Sequence, residues 1–371
     1  MAELKVEIFR IDKIEDHPNA DRMELAFIGA WQTCTPIGKF KAGDRVIYIP
    51  VDSILPHDIE NILFPPGSTI TLKKSRIRSI KLRGAMSQGM VEDPVTLGLP
   101  PNIRVGTDVA KKLGITKYIP VQKNRPSMMR ARPKRHRNPD FKMYTNISHF
   151  KYYPKFFEGM RIWGTEKVHG TNFRAGWVKY NAYNWWRKVA KRLGFHGFQW
   201  DFAYGSHRVE LTRKGKHAKG FYNQNVYYMM AEKYRLRDIL EPGQVIYAEI
   251  YGHGIQKGYD YGCKEGEWKM VVVDVMIDGK YLDGCKAKRF CAMMDLPYAP
   301  LLINDMLFNY DTINAIVNPP GDKSALYPKM QRPIEGIVIK PMVETKGYMG
   351  RAVFKFINDK YWLAKGNTDW N

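Results

Sequence analysis

The stretch Thr165–Phe173 reads TEKVHGTNF and sets Lys167 inside a β-type run, just ahead of His169 and Gly170. Removing an ammonium from water is costly unless it is paired or deprotonated. A half-buried Lys167 therefore needs a partner or a chemical task; simple surface solvation is the alternative. Five later strand-like runs carry charge in apolar surroundings: YGSHRVEL (Tyr204–Leu211), VIYAEIYG (Val245–Gly252), MVVVDVMIDGKYL (Met270–Leu282), IEGIVIKPM (Ile334–Met342) and AVFKFIND (Ala352–Asp359). The carboxylates of Glu249, Asp274 and Glu335 and the ammonium groups of Lys340 and Lys355 are candidates to line one cleft with Lys167. Any one of them alone reads as an inward-facing, salt-bridged side chain.

These residues need elements to hold them. Before them lies a section of short apolar or alternating runs, Leu4–Ile11, Met23–Ile28, Arg45–Val51 and Thr69–Leu72. Turn signals such as His17-Pro18-Asn19-Ala20-Asp21 and Ala42-Gly43-Asp44 separate them, which predicts a small β-barrel. From Lys123 to Asp140 three prolines stand among many basic residues and few apolar ones, the composition of an irregular tether that can also lie along a phosphate backbone. The sequence thus divides into residues 1–120, a basic linker at 121–140, and a second domain at 141–371. Trp186, Val189, Ala190 and Leu193 share one helical face of NWWRKVAKRLGF: either a packed surface helix or a basic helix gripping a strand. No repeat of solenoid period is visible.

Composition limits the partners. The 371 residues hold 59 Lys+Arg against 37 Asp+Glu, a formal net charge of +22. Such an excess points to a polyanion, nucleic acid before an anionic membrane surface. The first residues, MAELKVEIFRID, carry charges inside the first apolar run, so no signal or transit peptide is expected, and no run of apolar residues is long enough to span a bilayer. A cytoplasmic monomer without membrane association is the expectation. Cys34, Cys263, Cys285 and Cys291 make no CxxC pair, so neither structural zinc nor a disulfide is expected.

Two phrases, KAGDRVIYIPVDSILP (Lys41–Pro56) and IRSIKLRGAMSQGM (Ile77–Met90), resemble an OB-fold of the tRNA-binding type and the OB domain at the front of certain RNA ligases. A barrel with no ligand of its own is the competing reading. The downstream set, in its order, resembles the nucleotidyltransferase motifs of ATP-dependent RNA ligases: KxHG, a basic motif, ExYG, an aliphatic strand ending in Asp, EGxVxK and a last lysine motif. An OB domain followed by such a core looks like the Deinococcus-type RNA ligases, which seal nicks. Histidine rather than aspartate after the lysine is an RNA-ligase preference.

The resemblance implies an α+β chain: an N-terminal OB-fold β-barrel, then a covalent nucleotidyltransferase domain, ATP-grasp-like, built on antiparallel sheets with flanking helices. It implies that Lys167 attacks the α-phosphate of ATP to form lysyl-AMP, with Mg²⁺ or Mn²⁺ held by Glu335. A lysine of pKa about 10.4 is protonated, so desolvation and nearby cations (Lys340, Lys355, Arg208) must favour the free amine. By the same pattern Glu249 takes a hydrogen bond from the ribose, His169 and Asn172 support the phosphates, Glu166 lies beside the adenine, and Val273 and Val338 flank the base. RNA or an RNA-containing duplex is the implied partner.

The sequence departs from the pattern in three places. An aromatic residue usually precedes the Asp of the strand motif, where this chain has Val273; the basic pair is His207-Arg208; and Lys355 is followed by Phe356-Ile357 without a second lysine. A GTP-dependent capping enzyme or a DNA ligase shares the catalytic lysine, but those carry an OB domain after the core, whereas this chain ends at Asn371, soon after Lys355. A non-catalytic OB-fold RNA-binding protein explains the charge and leaves the lysine and carboxylate motifs idle.

Overall fold

The computed structural model describes residues 4–68, 71–119, 138–153, 155–179, 189–190, 192–194, 200–211, 225–319, 323–347 and 350–364. Contacts divide the chain into two compact units. The first comprises Met1–Gln122, Ile147–Phe156 and Trp362–Asn371, and the second Lys123–Asn146 and Phe157–Tyr361.

The first unit is built on antiparallel three-stranded sheets. One runs Glu7–Arg10, Arg45–Ile49, Met90–Glu92, and the other Lys13–Asp16, Met23–Ile28, Trp31–Pro36. The run VIYI at 46–49 is apolar on both faces because both are buried. Ile47 and Ile49 pack with Val6, Ile8 and Leu55, while Val46 and Tyr48 pack with Ile11, Ala26 and Trp31. The Tyr48 hydroxyl donates to the Gln88 carbonyl at 2.9 Å inside this core. Residues 147–156 group here: the His149 ring lies 4.6 Å from Trp31, and Lys151 Nζ donates to Gln88 Oε1 at 2.6 Å.

Of the expected strand at Thr69–Leu72, only the last two residues are described. Thr71 and Leu72 lie outside any strand and lead into a 3₁₀ turn at Lys73–Ser75, with residues 69 and 70 outside the described set. The strands Lys13–Asp16 and Trp31–Pro36 went unread because they are short and half polar.

The second unit holds two antiparallel sheets. The larger has the order Glu210–Leu211, Trp200–Ser206, Thr171–Lys179, Gln244–Gly252, Trp268–Ile277, Lys280–Tyr281. Its apolar face (Phe173, Ala175, Ile246, Ala248, Ile250, Met270, Val272) packs against Val226, Met230, Leu236, Ala287, Phe290 and Cys291. These come from the helices Val226–Lys233, Leu236–Ile239 and Gly284–Met293. The second sheet includes Leu301–Leu307, Arg161–Glu166, Gly336–Pro341 and Phe354–Ile357, in that order. The arrangement is α+β, with flanking helices on antiparallel sheets.

YGSHRVEL is a hairpin, not one strand: pairing of Gly205 with Glu210 closes a turn over residues 207–209. Lys167 likewise lies outside the run that sequence assigned it to, because the strand ends at Glu166 and the next begins at Thr171. The basic linker falls outside the described residues up to 137, as does Trp186 of the proposed helix; Val189 and Leu193 are exposed, 38% and 69%. All four cysteines are free, and no described helix is long and apolar enough to cross a membrane. Tyr48→Phe removes a buried donor from the Gln88 carbonyl and is expected to cost about 1–3 kcal/mol, read as a lowered unfolding temperature.

Candidate active site

The strand Arg161–Glu166 delivers Lys167 to a fixed place because both its last amides are held. Glu166 N donates to the Pro300 carbonyl at 2.9 Å, and Lys167 N to the Gly336 carbonyl at 2.8 Å. Gly336 has φ +152°, and a Cβ there would lie 2.1 Å from the Phe356 carbonyl oxygen. The glycine after Glu335 thus lets the strand pass close enough to anchor the lysine. Gly170 answers a similar need: its Cβ would meet the Ile250 carbonyl oxygen at 2.2 Å and Glu249 Cγ at 2.9 Å. The loop from Lys167 to Gly170 can lie on the larger sheet only without a side chain at that point.

Lys167 Nζ lies 2.5 Å from Glu335 Oε1, and His169 Nδ1 lies 3.2 Å from Glu335 Oε2. Burial would raise the Glu335 carboxyl, but the Lys167 ammonium and the His169 ring outweigh it and bring it down to about 2. Asn172 stands directly across from Glu249 in the sheet. Desolvation pushes Glu249 up to about 8, and the charge of Glu335 adds to this, while Lys167 and the Gly170 amide oppose it. Two carboxylates beside one lysine thus have opposite tendencies: Glu335 stays ionised and Glu249 holds its proton near neutrality. The buried Asn172 Oδ1 has no hydrogen-bond partner among the described residues.

The smaller sheet supplies the other cations. Register pairs Val338 with Lys355 and Thr165, and the two-residue period places Lys340 on that face too. Lys340 and Lys355 are buried, 5% and 1% exposed, and Val338 is half-buried. Lys340 Nζ sits 3.1 Å from Asp274 Oδ1. Asp274 is fully buried; desolvation opposes its charge, but Lys340 and Arg351 overcome that and hold the carboxyl below its usual range. Its role is to fix Lys340. Val273, just before it, occupies a bulge, since pairing jumps from Tyr247–Asp274 to Ala248–Val272. The bulge turns the half-buried Val273 off the core face occupied by Val272 and Val275.

Two expected residues stand apart. Glu166 pairs with Ile337 and so faces away from Val338 and Lys355. Its carboxylate accepts from Ser324 Oγ (2.6 Å) and from the amides of Ala325 (2.7 Å) and Leu326 (3.1 Å). It anchors the turn at 324–327. Arg208 is exposed in the turn at 207–209, which the pairing of Phe173 with Ser206 sets at the end of the sheet where Thr171 and Asn172 begin. Burial, with Arg174 and Arg208 nearby, lowers the adjacent His207 to about 4, so this position supplies one cation rather than two at neutral pH.

Sequence reasoning missed the groups that hold the site. The Tyr261 hydroxyl accepts from His169 N at 2.8 Å, and the His169 ring meets the Tyr259 ring edge-on at 4.7 Å and the Tyr361 ring at 5.4 Å. Tyr144 donates to Asp274 Oδ2 at 3.0 Å. Arg351 reaches Asp274 Oδ2 at 2.6 Å and Glu344 Oε1 at 2.5 Å, and its guanidinium lies 3.6 Å from the Tyr281 ring centre. None of these has a fixed spacing from the lysine. The one local signal was the density of tyrosines in KGYDYG at 257–262.

Among the described residues no group of three or more His, Cys, Asp and Glu forms a self-sufficient metal cage. Glu335, held ionised beside Lys167, instead fits a magnesium-type ion, which is commonly bound by one or two carboxylates with substrate phosphates completing its shell.

An RNA ligase family model matches residues 160–357, more than half of the chain, and an OB-fold domain model matches residues 5–95. No curated protein sequence matches. Among solved structures, a lysine-to-alanine variant of Naegleria gruberi RNA ligase with ATP and Mn superposes with TM-score 0.72 at 20% identity, covering 96% of this chain and 98% of that one. The same ligase with PPi gives 0.72 at 19%, over 97% and 98%. A variant with AMP and Mn gives 0.71 at 19%, over 96% and 97%. At such identity the likeness establishes the shared fold.

The raised carboxyl of Glu249 has a consequence for stability. A folded-state value of about 8 against 4.5 means that the folded form keeps a proton the unfolded form has released. Its contribution is full below about pH 4.5 and is lost as pH rises through about 8. Glu249→Gln keeps the neutral shape, so relative to wild type its melting temperature is expected to rise between pH 5 and pH 8. Scanning calorimetry at the two pH values checks this, and parallel curves would contradict it.

Proposed function

Because this chain belongs to the RNA ligase family, we propose that it joins RNA 3′-hydroxyl and 5′-phosphate ends with ATP, at nicks in RNA-containing duplexes. The observation that carries this reading is the contact of Lys167 with Glu335 at the place where His169, Asn172 and Glu249 meet. Lys167 Nζ attacks the α-phosphate of ATP; the phosphoramidate bond forms as the bond to pyrophosphate breaks. The 5′-phosphate of the nick then takes AMP from the lysine, and the 3′-hydroxyl displaces AMP to close the phosphodiester.

Each residue has a part in that sequence. The Lys167 amine must first give up its proton and its contact with Glu335, since an ammonium has no lone pair for attack. Lys340, Lys355 and Arg208 offset charge on the phosphates, and positioning with charge stabilisation is most of what phosphoryl transfer requires. Asp274 keeps Lys340 aimed. His169, braced by the tyrosines, and Asn172, through its side-chain amide N–H, support the phosphates or the leaving pyrophosphate. A protonated Glu249 is suited to hydrogen-bond a ribose hydroxyl. Val273 and Val338 provide aliphatic faces for adenine, and Glu166 shapes the base pocket through the turn at 324–327. Glu335 would hold Mg²⁺ or Mn²⁺, which when bound would neutralise the triphosphate and stabilise its developing charge.

Incubation with α-labelled ATP and Mg²⁺ is expected to give a covalent AMP adduct that survives a denaturing gel and is absent from Lys167→Ala. Label from GTP alone would move the chain to the capping class, and full labelling of Lys167→Ala would remove this lysine from its role. Glu335→Ala is expected to lose the adduct while its melting temperature stays within a few degrees; a protein that simply unfolds would make the carboxylate a structural ion pair.

A further inference from the structure

The OB-fold unit carries a built feature that the chemistry above leaves without a role. From Asn61 to Val91 the chain has no Asp or Glu, but it has Lys73, Lys74, Arg76, Arg78, Lys81 and Arg83. Arg76 is engaged, paired with Asp52 and lying 3.9 Å from the Tyr118 ring centre. Lys73, Lys74, Lys81 and Arg83 are exposed and have no ion-pair partner among the described residues.

Their backbone is constrained. Ile80–Leu82 and Ala85–Ser87 form a hairpin closed by Arg83 and Gly84 at φ +41° and +98°. Such a turn favours asparagine and glycine, so an arginine at its first position is held against steric preference. Lys74 is also left-handed, at φ +58°. The tip is fixed from outside: the His17 ring Nε2 lies 3.1 Å from the Leu82 carbonyl, and Asn19 Nδ2 donates to the Arg83 carbonyl at 3.1 Å. The base is fixed too, by Gln32 Nε2 to the Met86 carbonyl (2.8 Å) and Cys34 N to Ser87 Oγ (3.0 Å). The HPNAD turn thus serves as the clasp of this hairpin. Backbone kept in sparsely populated conformations by over-determining contacts recurs at ligand clamps.

We propose that this hairpin, with the Lys73-Lys74 turn, is a phosphate-backbone grip for the duplex part of the nucleic-acid substrate. A proud, single-sign tip on a chain of net charge +22 suits a polyanion. The segment from Pro65 to Val91 contains no aromatic residue, hence no platform for stacking unpaired bases, and that favours a duplex over a single strand. The proposal rests on the reading of RNA as substrate.

The test uses the full chain and a fluorescein-labelled nicked RNA duplex, with anisotropy measured from 50 to 200 mM KCl. Two double variants are compared with wild type: Lys81→Ala/Arg83→Asn, in which asparagine accepts the turn, and Lys73→Ala/Lys74→Gly, in which glycine accepts the left-handed position. Each is expected to weaken binding several-fold and to make the dependence of log K on log salt shallower by about 0.9 for each lost phosphate contact. Melting temperature and AMP adduct formation are expected to stay at wild-type level, and single-stranded RNA of the same sequence to be affected less. An unchanged salt slope in both variants would overturn the proposal, as would a loss confined to the single strand. Failure of wild type to form the AMP adduct would sink the ligase reading alone, since the salt slope reports the grip independently.

Discussion

The ion pair between Lys167 and Glu335 is the constraint on which the second unit is organised. It joins the end of one strand to the start of another, residues far apart in the chain, and both partners are nearly out of water, 12% and 2% exposed at the side chain. A buried pair of this kind adds little net stability, since desolvation offsets most of the Coulomb gain. What it does is fix where the amine sits. The two glycines that let the backbones close on it, Gly170 and Gly336, and the amide of Lys167 on the Gly336 carbonyl serve the same end.

Around that pair the protein separates charge by environment. Glu335, facing the Lys167 ammonium and the His169 ring, is held ionised, whereas Glu249, on the larger sheet and desolvated, keeps its proton to about pH 8. Deeper in, Asp274 neutralises Lys340 and Arg351 together, and Glu344 takes the remaining face of the arginine. Two carboxylates, Asp274 and Glu344, thus balance the two cations, and Lys340 is held in place by the carboxylate it shares with Arg351. Removing Asp274 would strand Lys340 in a dry interior and leave Arg351 to Glu344, so the network ties folding to the electrostatics of the site.

The first unit follows different rules. Its central strand is buried on both faces, and its distinctive feature is at the surface, where an arginine at a strained tip is held by a buried histidine and an asparagine. In the second unit buried charges are paired around the site; in the first, Arg76 is paired with Asp52 while the cations of the tip are exposed. Chemistry on a phosphate requires the former arrangement, and holding a long polyanion requires the latter.

The sequence by itself determined the class of the fold and most of the chemistry. Strand-period apolar runs, Gly-marked turns and single charges in apolar surroundings are local signals, and the ordered set from KVHG to the last lysine made Lys167, Glu335, Lys340 and Lys355 candidates for one cleft before any contact was known. It read Val245–Gly252 and Ile334–Met342 as strand-like runs because they are largely apolar, and the structure buries the strands there on both faces. It did less well where the signal was short or polar, at Lys13–Asp16, Trp31–Pro36 and the turn inside YGSHRVEL, since a turn made of His, Arg and Val has no Gly or Pro to mark it. Only the tertiary structure decided which face each charge takes. Glu166 and Lys167 are neighbours in sequence, but the strand ends between them, and the carboxylate of one anchors the turn at 324–327 while the amine of the other meets Glu335. The tyrosines around His169 and the arginine on Asp274 arrive from segments distant in the chain, and no spacing encodes a contact that exists only once two sheets have closed on each other.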